Sequence, residues 1–179
     1  MPFLRFLGLG AVAPRAEHPD DRGETETVRR IVAHLETLPP EQARLLAATA
    51  YLLARAANAD FEISDAETSA MERILVEQGG LGEAQAVLVT EMAKVQARSF
   101  GETEDFLVAR EFREAATPAQ QAAVLRACYL VTTADDSISA AESAVLNEIA
   151  NELDLRREEV AAIRAEFAAK VAGRELPPE

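Results

Sequence analysis

The chain is predicted to fold as an all-α bundle of seven or eight helices. Three observations carry that expectation. Alanine, leucine and glutamate dominate from Thr27 onward, apolar residues recur at three- and four-residue spacing without β-branched alternation, and one helix–turn–helix pattern occurs twice. No segment reads as a strand.

The 179 residues suit one domain with a single core. Met1 to Gly10 combine one Arg with an apolar stretch followed by Ala11-Val12-Ala13, a weak likeness to a signal peptide. The stretch is short, holds two glycines and has a single late positive charge, so a cytoplasmic protein is expected, at most peripheral to a membrane. Pro14 to Glu26 is polar and Pro-, Asp- and Glu-rich, which cannot bury enough apolar surface to order itself. The expected organisation is a mobile tail and linker over residues 1–26, a helical domain over 27–173 and a C-terminal tail over 174–179. Deleting the first 26 residues should leave the fold intact.

A first helix follows from Val28, Ile31, Val32 and Leu35, ending before Pro39-Pro40. A second opens at those prolines, tolerated in a first turn, and runs to about Ala57 with Leu45, Leu46, Thr49, Leu52, Leu53 and Ala56 on its apolar side. The third covers about Asp65 to Gln78 and stops at Gly79-Gly80, where glycine supplies a left-handed cap. The fourth spans Glu83 to Ser99 and the fifth Glu102 to Ala116. Thr117-Pro118 starts the sixth with a capping residue and a proline. A seventh covers Ala140 to Leu153, and an eighth runs from Arg156 to about Val171.

Placing Ile63 on Ile138, an offset of 75 residues, sets Ala59 to Glu67 on Ala134 to Glu142, with six of nine pairs identical. Met71 then falls on Leu146 and Ile74 on Ile149, so each copy is a helix, an acidic turn and a second helix. Two such hairpins suggest a pseudo-two-fold bundle.

With 18 basic against 31 acidic residues the net charge is −13, which argues against nucleic acid and anionic lipid surfaces and suits cations or basic partners. No apolar run approaches the roughly 20 residues of a transmembrane helix. The single cysteine, Cys128, lies in an apolar helix and reads as a small buried residue. His18 sits in the polar linker and His34 beside apolar residues, both far from any cysteine, so neither suggests a metal ligand or a triad. Phe100, Phe106 and Phe112 resemble an aromatic pocket, but helical spacing makes Phe106 with Ala109 and Ala116 ordinary core packing. There is no phosphate loop or nucleophile elbow, so a non-catalytic interaction module is expected, ahead of a plain acidic scaffold for a basic partner and, last, of an enzyme using its carboxylates for acid–base work.

The acidic turns admit two readings. Each aligns with the last eight positions of a calcium-binding EF-hand loop, with Asp60 or Asp135 as third acidic ligand and Glu67 or Glu142 closing. The opening ligand would then be Ala56 or Val131 and the invariant glycine is missing, so an ordinary calcium hand is not expected. A cation site would need carboxylates of both copies to converge, with Asp60, Glu67, Asp135 and Glu142 at its heart and Glu62 or Asp136 nearby. Such oxygen ligands would suit weak Ca²⁺, Mg²⁺ or Mn²⁺ binding. Alternatively, Ser64-x-x-Glu67 and Ser139-x-x-Glu142 are capping boxes, and Asp60 and Asp135 close Asx-turns, with no cation required.

At these residues the chain resembles the TerB-like family, whose all-helical, tellurite-resistance-associated members carry Ala-Asp-Gly-x-Ile-Ser/Asp-x-x-Glu twice at helix junctions. The resemblance extends from about Ala43 to Phe167, with Leu153-Asp154-Leu155 closing the second copy as family members do. It implies a non-catalytic module linked to tellurite or envelope stress, a divalent cation site, and a protein partner in a membrane-associated complex. The family glycine is Phe61 in the first copy and Asp136 in the second. Phenylalanine tolerates a left-handed turn badly, so the first turn is expected to have altered geometry.

Overall fold

The computed structural model describes residues 38–99 and 102–168. The helix expected over 28–35, the tails, His18, His34 and Phe100 lie outside them. Within the described residues there are seven helices and no strand: α1 (Pro40–Ala57), α2 (Asp65–Glu77), α3 (Glu83–Ser99), α4 (Glu102–Ala115), α5 (Pro118–Thr132), α6 (Ala140–Glu152) and α7 (Arg157–Glu166). None is long and apolar enough to cross a membrane.

α1 is the axis of the bundle, packing against α2, α3, α4, α5 and α6. The sequence explains why it can. From Leu46 to Ala57 every residue except Thr49 is buried, and the alanines at 47, 48, 50, 54, 56 and 57 leave room for neighbours on all sides. A helix apolar around its whole circumference belongs inside a core rather than on its surface. The apolar side expected for this helix is therefore only part of what it buries, and Leu45 and Thr49 lie half-exposed.

α5 is the second central element, in contact with α1, α2, α6 and α7. The Cys128 thiol donates to the Leu52 carbonyl (3.7 Å), pinning the middles of α5 and α1 together. Full burial pushes that thiol up to about 12, as befits a small packed residue and not a nucleophile. α7 is held on α5 by stacking of Tyr129 on Phe167, with ring centroids 5.2 Å apart, and by a two-armed pairing of Arg126 with Glu166 at 2.7 and 2.8 Å.

One aromatic expectation is corrected. Phe106 is 47% exposed, and the buried face of α4 is Val108, Ala109 and Phe112. Phe106 falls at the edge of that face, so Phe112 supplies the aromatic core contact.

A feature invisible to residue spacing ties α1 to α4 and α6. Arg55, 9% exposed, meets Asp105 through Nε (3.4 Å) and Glu152 through both terminal nitrogens (2.5 and 3.2 Å), with Glu148 at 3.3 Å. Tyr51 donates to the other oxygen of Asp105 (2.7 Å), and Arg113 donates to the Glu152 carbonyl (3.2 Å). A guanidinium so deeply placed is tolerable because its donors are matched by carboxylates.

Candidate functional site: two acidic turns at one end of the bundle

The two turns are built alike from their local sequence. α1 ends at Asn58, whose N–H donates to the Ala54 carbonyl, and α5 ends at Thr133, whose N–H donates to the Tyr129 carbonyl. The chain then folds back, with the Phe61 N–H donating to the Asn58 carbonyl (3.0 Å) and the Asp136 N–H to the Thr133 carbonyl (3.1 Å). Asp60 Oδ1 accepts from the Glu62 N–H (3.1 Å), and Asp135 Oδ1 from the Ser137 N–H (3.2 Å). Both are the expected Asx-turns.

The expected change of geometry in the first turn is not found. Phe61 has φ of 69° and Asp136 φ of 72°, so both stand in the left-handed region that favours glycine. Phenylalanine is accommodated because its ring points away from the protein, 85% exposed, so nothing but its own backbone strain opposes the turn.

Each turn leads into its second helix through a complete capping box. The Glu67 N–H donates to Ser64 Oγ (3.1 Å), while Glu67 Oε2 accepts from the Ser64 N–H (2.8 Å) and hydroxyl (2.9 Å). In the second copy the Glu142 N–H donates to Ser139 Oγ (3.1 Å) and Glu142 Oε2 accepts from the Ser139 N–H (2.6 Å). α2 and α6 therefore start 75 residues apart, at Asp65 and Ala140, and their second ends, Glu77 and Glu152, keep the same offset. The positions where an EF-hand would open, Ala56 and Val131, are fully buried and offer no oxygen.

The turns come together because α1 and α5 run side by side in one sense. Their N-terminal halves share a cleft of about 340 Å³, their middles meet at Leu52 and Cys128, and their C-terminal ends carry the acidic turns. Glu67 and Glu142 are only 4% and 6% exposed. Burial raises the Glu67 carboxyl above its ordinary value; the Ser64 hydrogen bonds oppose this, and the negative charges of Glu142 and Asp135 add to it. Burial likewise raises Glu142 against the Ser139 hydrogen bonds, and here Asp135 and Asp60 add to it. Three of these four repulsions cross between the copies, the exception being Asp135 on Glu142, so Asp60, Glu67, Asp135 and Glu142 form one electrostatic group.

Glu62 and Asp136 stand differently. Both are exposed, at the rim of the turns. As placed, no three His, Cys, Asp or Glu side chains among the described residues are arranged to hold a metal ion. Two neighbours of the turns escaped the sequence reading. Asn58 Oδ1 is buried without a hydrogen-bond partner, and it is an amide oxygen of the kind hard cations accept. Lys94 of α3 donates to Thr68 Oγ1 (3.3 Å), next to the first capping box, and pairs with Glu91 at 2.7 Å, which gives the first copy a cation that the pattern of the repeat does not announce. A helix C-cap asparagine is a signal that could have been noticed; the lysine arrives from another helix and could not.

Known proteins now bear on these observations. No curated protein and no solved structure matches the chain significantly. The family model described as "Tellurite resistance protein TerB" matches residues 45–165, a span that includes both acidic turns and all of α2 to α6. With two thirds of its length covered by that match, the chain belongs to the TerB family.

Proposed function

We propose that this chain is a non-catalytic TerB module whose two acidic turns act together as a cation-responsive face, taking a divalent cation such as Ca²⁺ or Mg²⁺ weakly and coupling that event to a protein partner in tellurite or related stress. The single observation that supports this most is the repulsion that reaches across the copies: Glu67 feels Glu142 and Asp135, and Glu142 feels Asp60 as well as its own copy's Asp135. Carboxylates held this close to one another are relieved by a cation. The exposed side chains of Asp60 and Asp135 can turn toward such an ion, and each uses only Oδ1 in its Asx-turn. Asn58 Oδ1 is a further oxygen in search of a partner. Glu62 and Asp136 would enrich the rim in negative charge.

A non-catalytic role fits the placement of the groups. The raised carboxyls sit at the turn end, whereas the cleft, lined by leucines together with Gln42, Gln78 and Gln120, is formed by the opposite ends of α1 and α5. Cytoplasmic residence and docking to a membrane-associated complex belong to the same proposal, by way of the family.

Thermal unfolding tests the cation. Millimolar Ca²⁺ or Mg²⁺ should raise Tm, chelator should reverse the shift, and NaCl at matched ionic strength should not reproduce it. A shift fully reproduced by NaCl would leave the turns as helix caps.

A second reading, an acidic docking face for a basic partner, is favoured by Phe61. A strained aromatic, exposed beside Asp60, is the kind of anchor that interfaces use. Capture of a partner that survives chelator would favour this reading; capture abolished by chelator would favour the cation.

A further inference from the structure

The polarity of α3 is partly inverted. Where it packs on α1 and α2 it buries Gln85, Thr90 and Gln96 together with Ala86, Val89 and Ala93, and Thr90 Oγ1 lies there without a hydrogen-bond partner. The opposite side carries Ala84, Val87, Glu91, Val95 and Arg98, all exposed, with Leu88 half-buried at the edge. At about 100° per residue these fall on one stripe along the helix. Val87 is 45% and Val95 56% exposed. A surface helix ordinarily turns valines inward and glutamines outward, so burial within this chain does not account for the stripe.

Its charges say what can cover it. The chain holds 31 acidic residues against 18 basic, so acid-rich surfaces of two copies repel each other. This side of α3 is balanced instead: Glu83 and Glu91 are matched by Lys94 and Arg98, and Glu91 pairs with Lys94 at 2.7 Å. The charges are also sorted along the axis, with Glu83 in the first turn and Arg98 in the last. Parallel pairing of two such helices would set Glu83 on Glu83 and Arg98 on Arg98. Antiparallel pairing about Glu91 sets Glu83 beside Arg98 at both ends and Val87 against Val95 twice, and each Glu91 near the axis keeps Lys94 as its counter-charge. We propose that the outer face of α3 is a self-complementary interface through which two copies of this chain associate, antiparallel about a two-fold axis near Glu91. α3 is about 25 Å long, and a contact confined to it belongs to the transient class of interfaces below roughly 1,200 Å², so the dimer is weak and concentration-dependent.

Sedimentation equilibrium of the full chain from about 1 µM to about 1 mM reads the association, and the mass should climb from that of one chain toward that of two. Val95→Asp and Val87→Asp each put a charge into the contact and should weaken it about tenfold or more, while keeping helical circular dichroism and Tm because both positions are exposed. Leu130→Asp, on α5, should associate as wild type does. Disulfides read the direction, since the one native cysteine, Cys128, is buried. Diamide should oxidise a mixture of Val87→Cys and Val95→Cys chains to a mixed dimer and leave either chain alone monomeric. In the antiparallel register the two copies of position 87 stand about 12 Å apart along the axis, beyond the ~7 Å that a disulfide tolerates. A mass that stays that of one chain up to about 1 mM would overturn the assignment. So would association unchanged in both aspartate variants or lost equally in Leu130→Asp, absence of the mixed dimer, or ready cross-linking of Val87→Cys chains to one another, which marks a parallel pair.

Discussion

Phe61 and Asp136, 75 residues apart, hold the same left-handed backbone conformation, with φ of 69° and 72°. One is a residue that tolerates this conformation through its short polar side chain, the other one that does not. The turn is thus fixed by the rest of its hydrogen bonds, and the strain at Phe61 is carried by the fold. Phe61→Gly removes that strain and loses almost no packing, since the ring is exposed. It should raise stability by about 0.5–1 kcal/mol after allowing for the greater freedom of glycine in the unfolded chain. Denaturant unfolding checks this, and a loss of stability would show that the ring packs in solution.

The caps are the next test. Ser139→Ala removes the acceptor for the Glu142 N–H and should lower stability by about 1 kcal/mol, whatever cation is present. Chemical denaturation with and without chelator should give the same loss.

The buried glutamates predict a pH dependence. Because Glu67 and Glu142 are both raised in the folded protein, they bind protons more tightly there than in the unfolded chain. Their contribution favours folding below the ordinary glutamate value of 4.5 and is lost as the pH climbs through their higher folded values. Gln can take the same capping role, as Gln120 does for Thr117, with Oε1 accepting from the Thr117 N–H at 2.8 Å. Glu67→Gln/Glu142→Gln should therefore keep both helix starts, flatten the fall of stability above pH 4.5, and leave the protein at least as stable at pH 7. Unfolding curves across that range measure it; an unchanged slope would place the repulsion elsewhere.

Much of the fold was legible because helix starts are written locally. Ser64, Thr117 and Ser139 each announce a helix three residues ahead of an acceptor side chain, and the prolines at 39–40 and 118 mark first turns. The doubled acidic motif could be read for the same reason. What was not legible depends on partners far along the chain. Whether Phe106 or Phe112 reaches the core is decided by which neighbours α4 meets. Arg55 looks like any helical arginine until Asp105, Glu148 and Glu152 close around it from 50 to 97 residues away. Asn58 could be noticed as an asparagine at a helix end, but that its oxygen is buried without a partner depends on the packing around it.

That arginine gives a further prediction. Arg55→Ala leaves Asp105 and Glu152 facing each other, both largely buried, without their cation. Removing one member of such a set is expected to destabilise by about 3 kcal/mol or more. Calorimetric Tm should fall sharply, whereas Arg44→Ala, at an exposed pairing of 3.9 Å with Glu111, should shift it little.

The central claim is that the two acidic turns are one site and not two. Isothermal titration of the full chain with Ca²⁺ or Mg²⁺ decides it through stoichiometry. One cation per chain is predicted, with a Kd in the high-micromolar to millimolar range expected of an incomplete ligand set, and Asp60→Asn or Asp135→Asn alone should abolish the saturable heat. Two equal sites, each surviving loss of the other aspartate, or no saturable heat beyond a NaCl control, would contradict it.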